Sequence, residues 1–192
     1  MEFEKYKKYR WFFTSAGKLV IGGKSAEQND ELLLGIKNFE EELIVMHTAE
    51  PGSPFSVIMS EIKKISKKDF EECAIFTGCF SRVWRSGKKN AEIHIFKKSQ
   101  IYKDKKMKTG TWGVLGEVEK KKVELKLTLI RQEGVLRAVP ETAAKKKEIL
   151  AKLAPGKIEK TNLADMLKKE KKISLNEEEL ASATPSGGFK LI

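Results

Sequence analysis

Residues 10–14 (RWFFT) and 18–22 (KLVIG) are two short apolar runs joined only by Ser15-Ala16-Gly17, and so short a glycine-containing connection reads as a β-hairpin. The chain then passes through Gly22-Gly23-Lys24-Ser25 into helical spacing. Ser25 and Gln28 stand as a capping box, and Leu32, Leu33 and Ile36 continue the period. Strand, glycine turn and helix is also the order of a nucleotide-binding loop. A Walker A loop needs a glycine five residues before Gly23, however, and that position is Lys18, with Gly17 one residue early. The intervening LVIG reads as strand rather than as a loop whose amides surround phosphate, which argues against an NTPase. The plain reading is a sharp turn into a helix capped by Ser25. The positive helix end, with Gly23, Lys24 and Ser25 beside it, also suits one phosphate of a nucleic-acid backbone, a contact of about 0.3–2 kcal/mol.

The remaining pattern predicts an α+β fold: a mixed, mainly antiparallel sheet with packed helices, followed by a C-terminal helical extension. Residues 43–47 and 55–59 read as strands around a Pro-Gly-Ser-Pro turn, and 91–96 and 122–130 alternate as half-buried strands, with Val123, Leu125, Leu127 and Leu129 on one face. Helices are expected over 25–37 and, opened by the Ser66–Asp69 pair, over 66–84, with 97–110 as a Lys-rich loop. After Pro140 the composition shifts. ETAAKKKEILAKL is rich in helix formers, APGK breaks it, Thr161 starts another helix, and Ser174 with Glu177 suggests a third capping box. This places a core at 1–139 and a helical extension at 140–192, whose Leu163, Met166 and Leu167 share a helix face suited to packing on the core.

The chain of 192 residues carries a formal charge of +11, and the excess is concentrated. Residues 1–60 are net −2 and residues 61–140 net +10, with 10 basic against 2 acidic side chains in 82–108 alone. A dense basic block implies a polyanionic partner. Arg82 and Arg85 share a face of the predicted second helix, with Lys88 and Lys89 just beyond. Basic groups also suit a helix C-terminus, but this run continues through 97–108. Tyr102, Trp11 and Trp112 could stack on a base, but each is more often a core residue than a stacking platform. No run of 18 apolar residues is present, so no membrane span is expected, and the charged N-terminal stretch does not resemble a signal peptide.

His47, His94, Cys73 and Cys79 lack the paired spacing of a zinc site, and no metal or other cofactor is expected. Six residues separate the cysteines on a predicted helix, which puts them on different faces, as structural thiols of a reduced, cytoplasmic protein. Each histidine reads as structural unless the fold brings it a partner; Asp30, Glu31 and Glu50 are the available carboxylates.

Four segments resemble one family. YRWFFTSAGKLVIGGKSAEQNDELL (9–33) is similar to the signature of the RNA-binding R domain of NFACT proteins. LIVMHTAEPGSPFSVIM (43–59), DFEECAIFTGCFSRVWRSGKKNAEIHIF (69–96) and TGTWGVLGE (109–117) resemble its later strands, turn and helix, with Phe80 where the family usually has tyrosine. The likeness covers about 1–139, and the tail resembles the stand-alone archaeal form. The resemblance implies a non-enzymatic RNA-binding module, with tRNA or ribosomal RNA favoured, the large ribosomal subunit as a partner, and a role in ribosome-associated quality control. Because a helix entrance and a dense basic block both suit phosphate and largely fall in these shared segments, the RNA footprint is expected over Gly22, Gly23, Lys24, Ser25, Gln28, Asn29, His47, Arg82, Trp84, Arg85, Lys88, Lys89, Lys106 and Lys108. Two alternatives stand beside it: an RNA-processing or RNA-modifying enzyme using His47, Lys24 or Asp30, and an adaptor whose 140–192 helices dock a protein.

Overall fold

The computed structural model describes residues 5–192; the first few residues of the charged N-terminal stretch lie outside them. The expected hairpin is present: β1 (Arg10–Phe13) pairs antiparallel with β2 (Leu19–Gly22), with Arg10 opposite Gly22. Helix α1 (Ala26–Ile36) follows, then β3 (Ile44–Thr48) and β4 (Ser56–Ile58). The expected helix at 66–84 is two helices, α2 (Lys67–Cys79) and α3 (Arg82–Arg85). The break lies at Phe80-Ser81, where the Ser81 hydroxyl accepts a bond from the Val83 amide (3.1 Å) and donates to the Gly78 carbonyl (2.6 Å). A serine inside an apolar helical pattern has become a second N-cap.

Strand β5 (Asn90–Lys97) is followed by the short pair β6 (Ile101–Tyr102) and β7 (Gly113–Val114). The alternating stretch predicted at 122–130 divides between two sheets. β8 (Glu119–Glu124) pairs with β5, whereas β9 (Leu127–Gln132) pairs with β10 (Val135–Val139) and β11 (Ala151–Ile158). Helices α4 (Lys160–Lys171) and α5 (Glu177–Ala183) and strand β12 (Phe189–Leu191) complete the described chain. The larger sheet has the order β1-β2-β4-β3-β5-β8 and the smaller β10-β9-β11-β12, with antiparallel neighbours throughout.

The tail departs from its expected form. Residues 151–158 are strand, although their neighbourhood is rich in helix formers, and Asn176, rather than Ser174, caps α5. The reason is tertiary. Leu127 and Leu129 on β9 need a partner strand, and Ala151 and Leu153 alternate inward to supply one, overriding local propensity. Leu163 and Leu167 of α4 are fully buried, so this helix does pack on the core.

The larger sheet is covered on both faces, which explains the near-continuous apolar runs of β3 and β4. One core joins Phe12, Val20, Met46 and Ile58 to α2, the smaller sheet, α4 and α5. The other joins Ile21, Val45, Val57 and Phe96 to Leu32, Leu33 and Ile36 of α1 and to Trp112. Cys73 and Cys79 are buried and form no disulfide. Among the described residues, no helix is long and apolar enough to cross a membrane.

Candidate nucleic-acid interface

One wall of the main groove is the turn between β2 and α1. Gly23 leaves no room for a side chain: a Cβ there would lie 2.2 Å from the Asn29 Oδ1 atom. That oxygen is committed to the β3–β4 connection, where it accepts from the Phe55 amide at 3.1 Å. Gln28 folds back to accept from the Lys24 amide (3.0 Å), and Ser25 caps α1 by accepting from the Gln28 amide (3.3 Å). Gln28 and Asn29 therefore hold the loop, and two amides at the helix entrance are already satisfied. Anion attraction here rests on side-chain charge more than on those amides. Lys24 is exposed; burial of its surroundings and the like charges of Arg10 and Arg137 hold its pKa below the ordinary lysine value. Arg10 reaches from β1 behind the loop, its Nη1 donating to the Gly23 carbonyl at 2.9 Å and its guanidinium lying over the Phe80 ring.

The opposite wall is built by the Pro-Gly-Ser-Pro turn and α3. The Gly52 carbonyl accepts from the Arg82 amide at 3.0 Å, and Gly52 has φ +98° with the Arg82 side chain packed where a Cβ would stand. Arg82 and Arg85 are exposed, while Trp84 between them is fully buried, its indole N–H donating to the Gly188 carbonyl at 3.1 Å and its ring beside Phe189. Trp84 is thus corrected from an RNA-contacting residue to the anchor that fixes the two arginines. Trp11 and Trp112 are core residues too; Tyr102 is exposed but does not line the groove.

His47 and His94 face each other across β3 and β5, and both line the groove. The His47 Nδ1 atom lies 2.7 Å from the Thr48 carbonyl, which requires the proton on Nδ1 and leaves Nε2 as an acceptor. Burial lowers the His47 pKa below its ordinary value, against the Thr48 carbonyl, which raises it, and with a smaller contribution from the charge of His94. The base is therefore neutral at pH 7.

The groove encloses about 810 Å³ and is lined by Lys24, Ser25, Arg82 and Arg85 together with Arg10 and His47. The fold thus brings the Gly-Gly-Lys turn and the start of the basic block to one cavity. The rest of the block lies elsewhere: Lys88 pairs with Glu50 at 2.7 Å, and Lys89, Lys106 and Lys108 are exposed outside the groove lining. Lys103, which no sequence motif singles out, ties the Lys-rich loop together, its Nζ donating to both Asp30 oxygens (3.0 Å each) and to the carbonyls of Lys108 (2.9 Å) and Thr111 (3.0 Å). Asp30 also accepts from the Trp112 indole at 2.7 Å, so this carboxylate is a loop fastener rather than an acid–base group. Among the described residues, no group of three or more His, Cys, Asp or Glu side chains is placed to hold a metal.

Residues 8–116 match the model of the "NFACT protein RNA binding domain". The chain belongs to this NFACT RNA-binding family. It is 28% identical over 198 residues to the archaeal Rqc2 homolog aRqcH of Methanocaldococcus jannaschii, an alignment that takes in 97% of this chain and 29% of that protein. The chain therefore spans less than a third of its curated relative. In fold it is similar to the C-terminal part of the fibronectin/fibrinogen-binding protein of Streptococcus suis, with a TM-score of 0.52 and 18% identity over 65% of this chain and 47% of the other. Both walls of the groove lie within the matched NFACT segment, whereas the smaller sheet and α4–α5 lie beyond it. The sequence carries no local signal for Arg10 as a groove residue. Its charge at the head of an apolar strand becomes meaningful only once β1 lies beside the loop.

Proposed function

We propose that this chain binds structured RNA through its phosphate backbone, with the groove between the Lys24 turn and the Arg82–Arg85 helix as the contact surface. The observation that carries the reading is the convergence on one groove of Lys24, Arg82 and Arg85, which no described carboxylate pairs. Backbone contacts of this kind position RNA without reading its sequence. The likeness to an Rqc2 homolog supports a translation-linked RNA, tRNA or ribosomal RNA of the large subunit, bound in the cytoplasm during ribosome-associated quality control. Lys88, Lys89, Lys106 and Lys108, outside the groove, belong to an outer electrostatic field that steers the polyanion.

A filter-binding salt titration tests this. Removing one side chain that neutralises a phosphate should lower the slope of log K against log salt by about 0.7–0.9, so Arg82→Ala with Arg85→Ala should lower it by about 1.4–1.8. Replacing the exposed Lys145, Lys146 and Lys147, which do not line the groove, should change it far less. A larger drop in slope from the tail lysines would move the RNA site to the extension.

A further inference from the structure

The groove continues past Arg85. Ser186, in the turn before β12, lines both the main groove and a smaller recess of about 620 Å³ bordered by Lys157, Lys160 and the Gly187-Gly188 pair. Gly187 has φ +110° and sits so close to α3 that a Cβ would lie 2.8 Å from the Arg85 Cα. The tail is therefore seated directly on the arginine-bearing helix.

The β9–β10 hairpin packs along β1, lining neither cavity itself, with the charge of its Arg137 reaching Lys24. Gln132 exchanges two 2.9 Å hydrogen bonds with the backbone of Phe13 on β1, and the Arg137 guanidinium lies 4.1 Å from the centroid of the Trp11 ring. Arg10 precedes Trp11 on β1 and projects from the other face of the strand, over Phe80. Among the described residues, Arg137 Nε is buried without a hydrogen-bond partner, and Lys160 donates to the Ala181 carbonyl at 3.2 Å. Among the described residues no carboxylate forms a salt bridge with Arg10, Lys24, Arg137 or Lys160; Glu159 is the only carboxylate bordering the recess. Their mutual repulsion is felt: burial first, then the charge of Arg10, holds the Lys160 amine below its ordinary pKa.

Four cations from β1, the Gly-Gly-Lys turn, β10 and the start of α4, with no salt-bridged partner among the described residues and Glu159 as the carboxylate nearby, suit a ligand that brings repeated negative charge. We propose that Arg10, Arg137 and Lys160 form a second phosphate subsite, in which the C-terminal strand–helix segment joins the NFACT core to hold the same RNA. This rests on the groove being the RNA site and adds a partner surface from outside the matched family segment. A small anion would occupy the recess alone. A polymer satisfies recess and groove together, because they share Ser186.

The test uses the full chain and unfractionated tRNA as probe. Lys160→Gln and Arg137→Gln should each lower the salt slope by about 0.7–0.9, and the pair by about 1.4–1.8. Arg137→Lys keeps the charge and should keep the slope, which separates charge from stacking on Trp11. The RNA-free Lys160→Gln protein should melt no lower than the parent, since a repelling charge has gone. Unchanged slopes for Lys160→Gln and Arg137→Gln, with the Arg82/Arg85 pair still lowering its own, would overturn the subsite and leave the groove reading intact. Unchanged slopes for all of them would overturn both.

Discussion

A methyl group on Gly23 would fall 2.2 Å from the Asn29 side-chain oxygen and 2.9 Å from its backbone nitrogen, so the turn admits only glycine. The neighbouring residues then explain why this resembles a phosphate loop and is not one: Asn29 holds the β3–β4 connection, and Gln28 already occupies the Lys24 amide. The sequence argued against a phosphate loop because LVIG reads as strand, but the holding roles of Gln28 and Asn29 were not visible in it. The partners of His47 were not visible, since its pairing with His94 depends on strand register. The His47 pKa lies below that of the unfolded chain, so the unfolded state takes up the proton first as pH falls. Stability present at pH 7 should therefore decline as pH drops below about 6.5. If RNA binds as proposed, its phosphate would stabilise the imidazolium and should shrink that decline. Thermal midpoints from pH 7.5 to 5.5 should fall more for the parent than for His47→Gln, and less when tRNA is present. Equal pH slopes for both proteins would remove His47 from this role.

At the scale of elements, helix ends decide where the groove residues point. Asp69, at the third position of α2, completes a capping box with Ser66 and also accepts from the Thr14 hydroxyl; Glu72, one turn on, accepts from the Ser15 amide at 2.8 Å. Helix α2 thereby grips the β1–β2 loop and fixes the hairpin that carries Arg10 and leads into the Lys24 turn. Burial alone would raise the Asp69 pKa, but hydrogen bonds from Thr14 and Ser66 outweigh it and hold the carboxyl below its usual value. A depressed carboxyl pKa contributes stability above the unfolded value, near 3.9, that is lost as pH falls through the folded one. Asp69→Asn should cost about 1–3 kcal/mol at pH 7, by chemical denaturation, and should narrow the difference from the parent in acid below about pH 4. A gap that stays constant with pH would mean that the carboxylate charge is irrelevant. The Ser66–Asp69 box was legible because both partners are local. The break at Ser81 was not, because a serine in an apolar helical run is an N-cap only when the next turn is pulled aside by packing, here by Trp84 against the tail.

At the scale of the molecule, the expected division into a 1–139 core and an appended helical segment meets a sheet that runs across it, since β9 pairs with β10 before residue 140 and with β11 after it. The antiparallel class followed from strand alternation and short turns. The switch between sheets at Leu125-Lys126 did not, because all four of Val123, Leu125, Leu127 and Leu129 are buried in one shared core and the alternation never breaks. The tail completes that core. Phe189 is fully buried beside Trp84, and Leu153, Leu163, Leu167 and Leu180 join the same cluster. A fragment ending at residue 139 would expose the face of β9 that meets β11 and free the indole N–H that Gly188 accepts. We expect that fragment to bind a hydrophobic dye and to lose a cooperative thermal transition. In the full chain, Phe189→Ala should cost about 3–5 kcal/mol. Because Trp84 sets the direction of Arg82 and Arg85, Phe189→Ala should also weaken RNA binding under conditions where the variant remains folded, although Phe189 lines no part of the groove. A fragment that melts cooperatively at the parental midpoint, with the parental salt slope, would show instead that the extension is a separable addition.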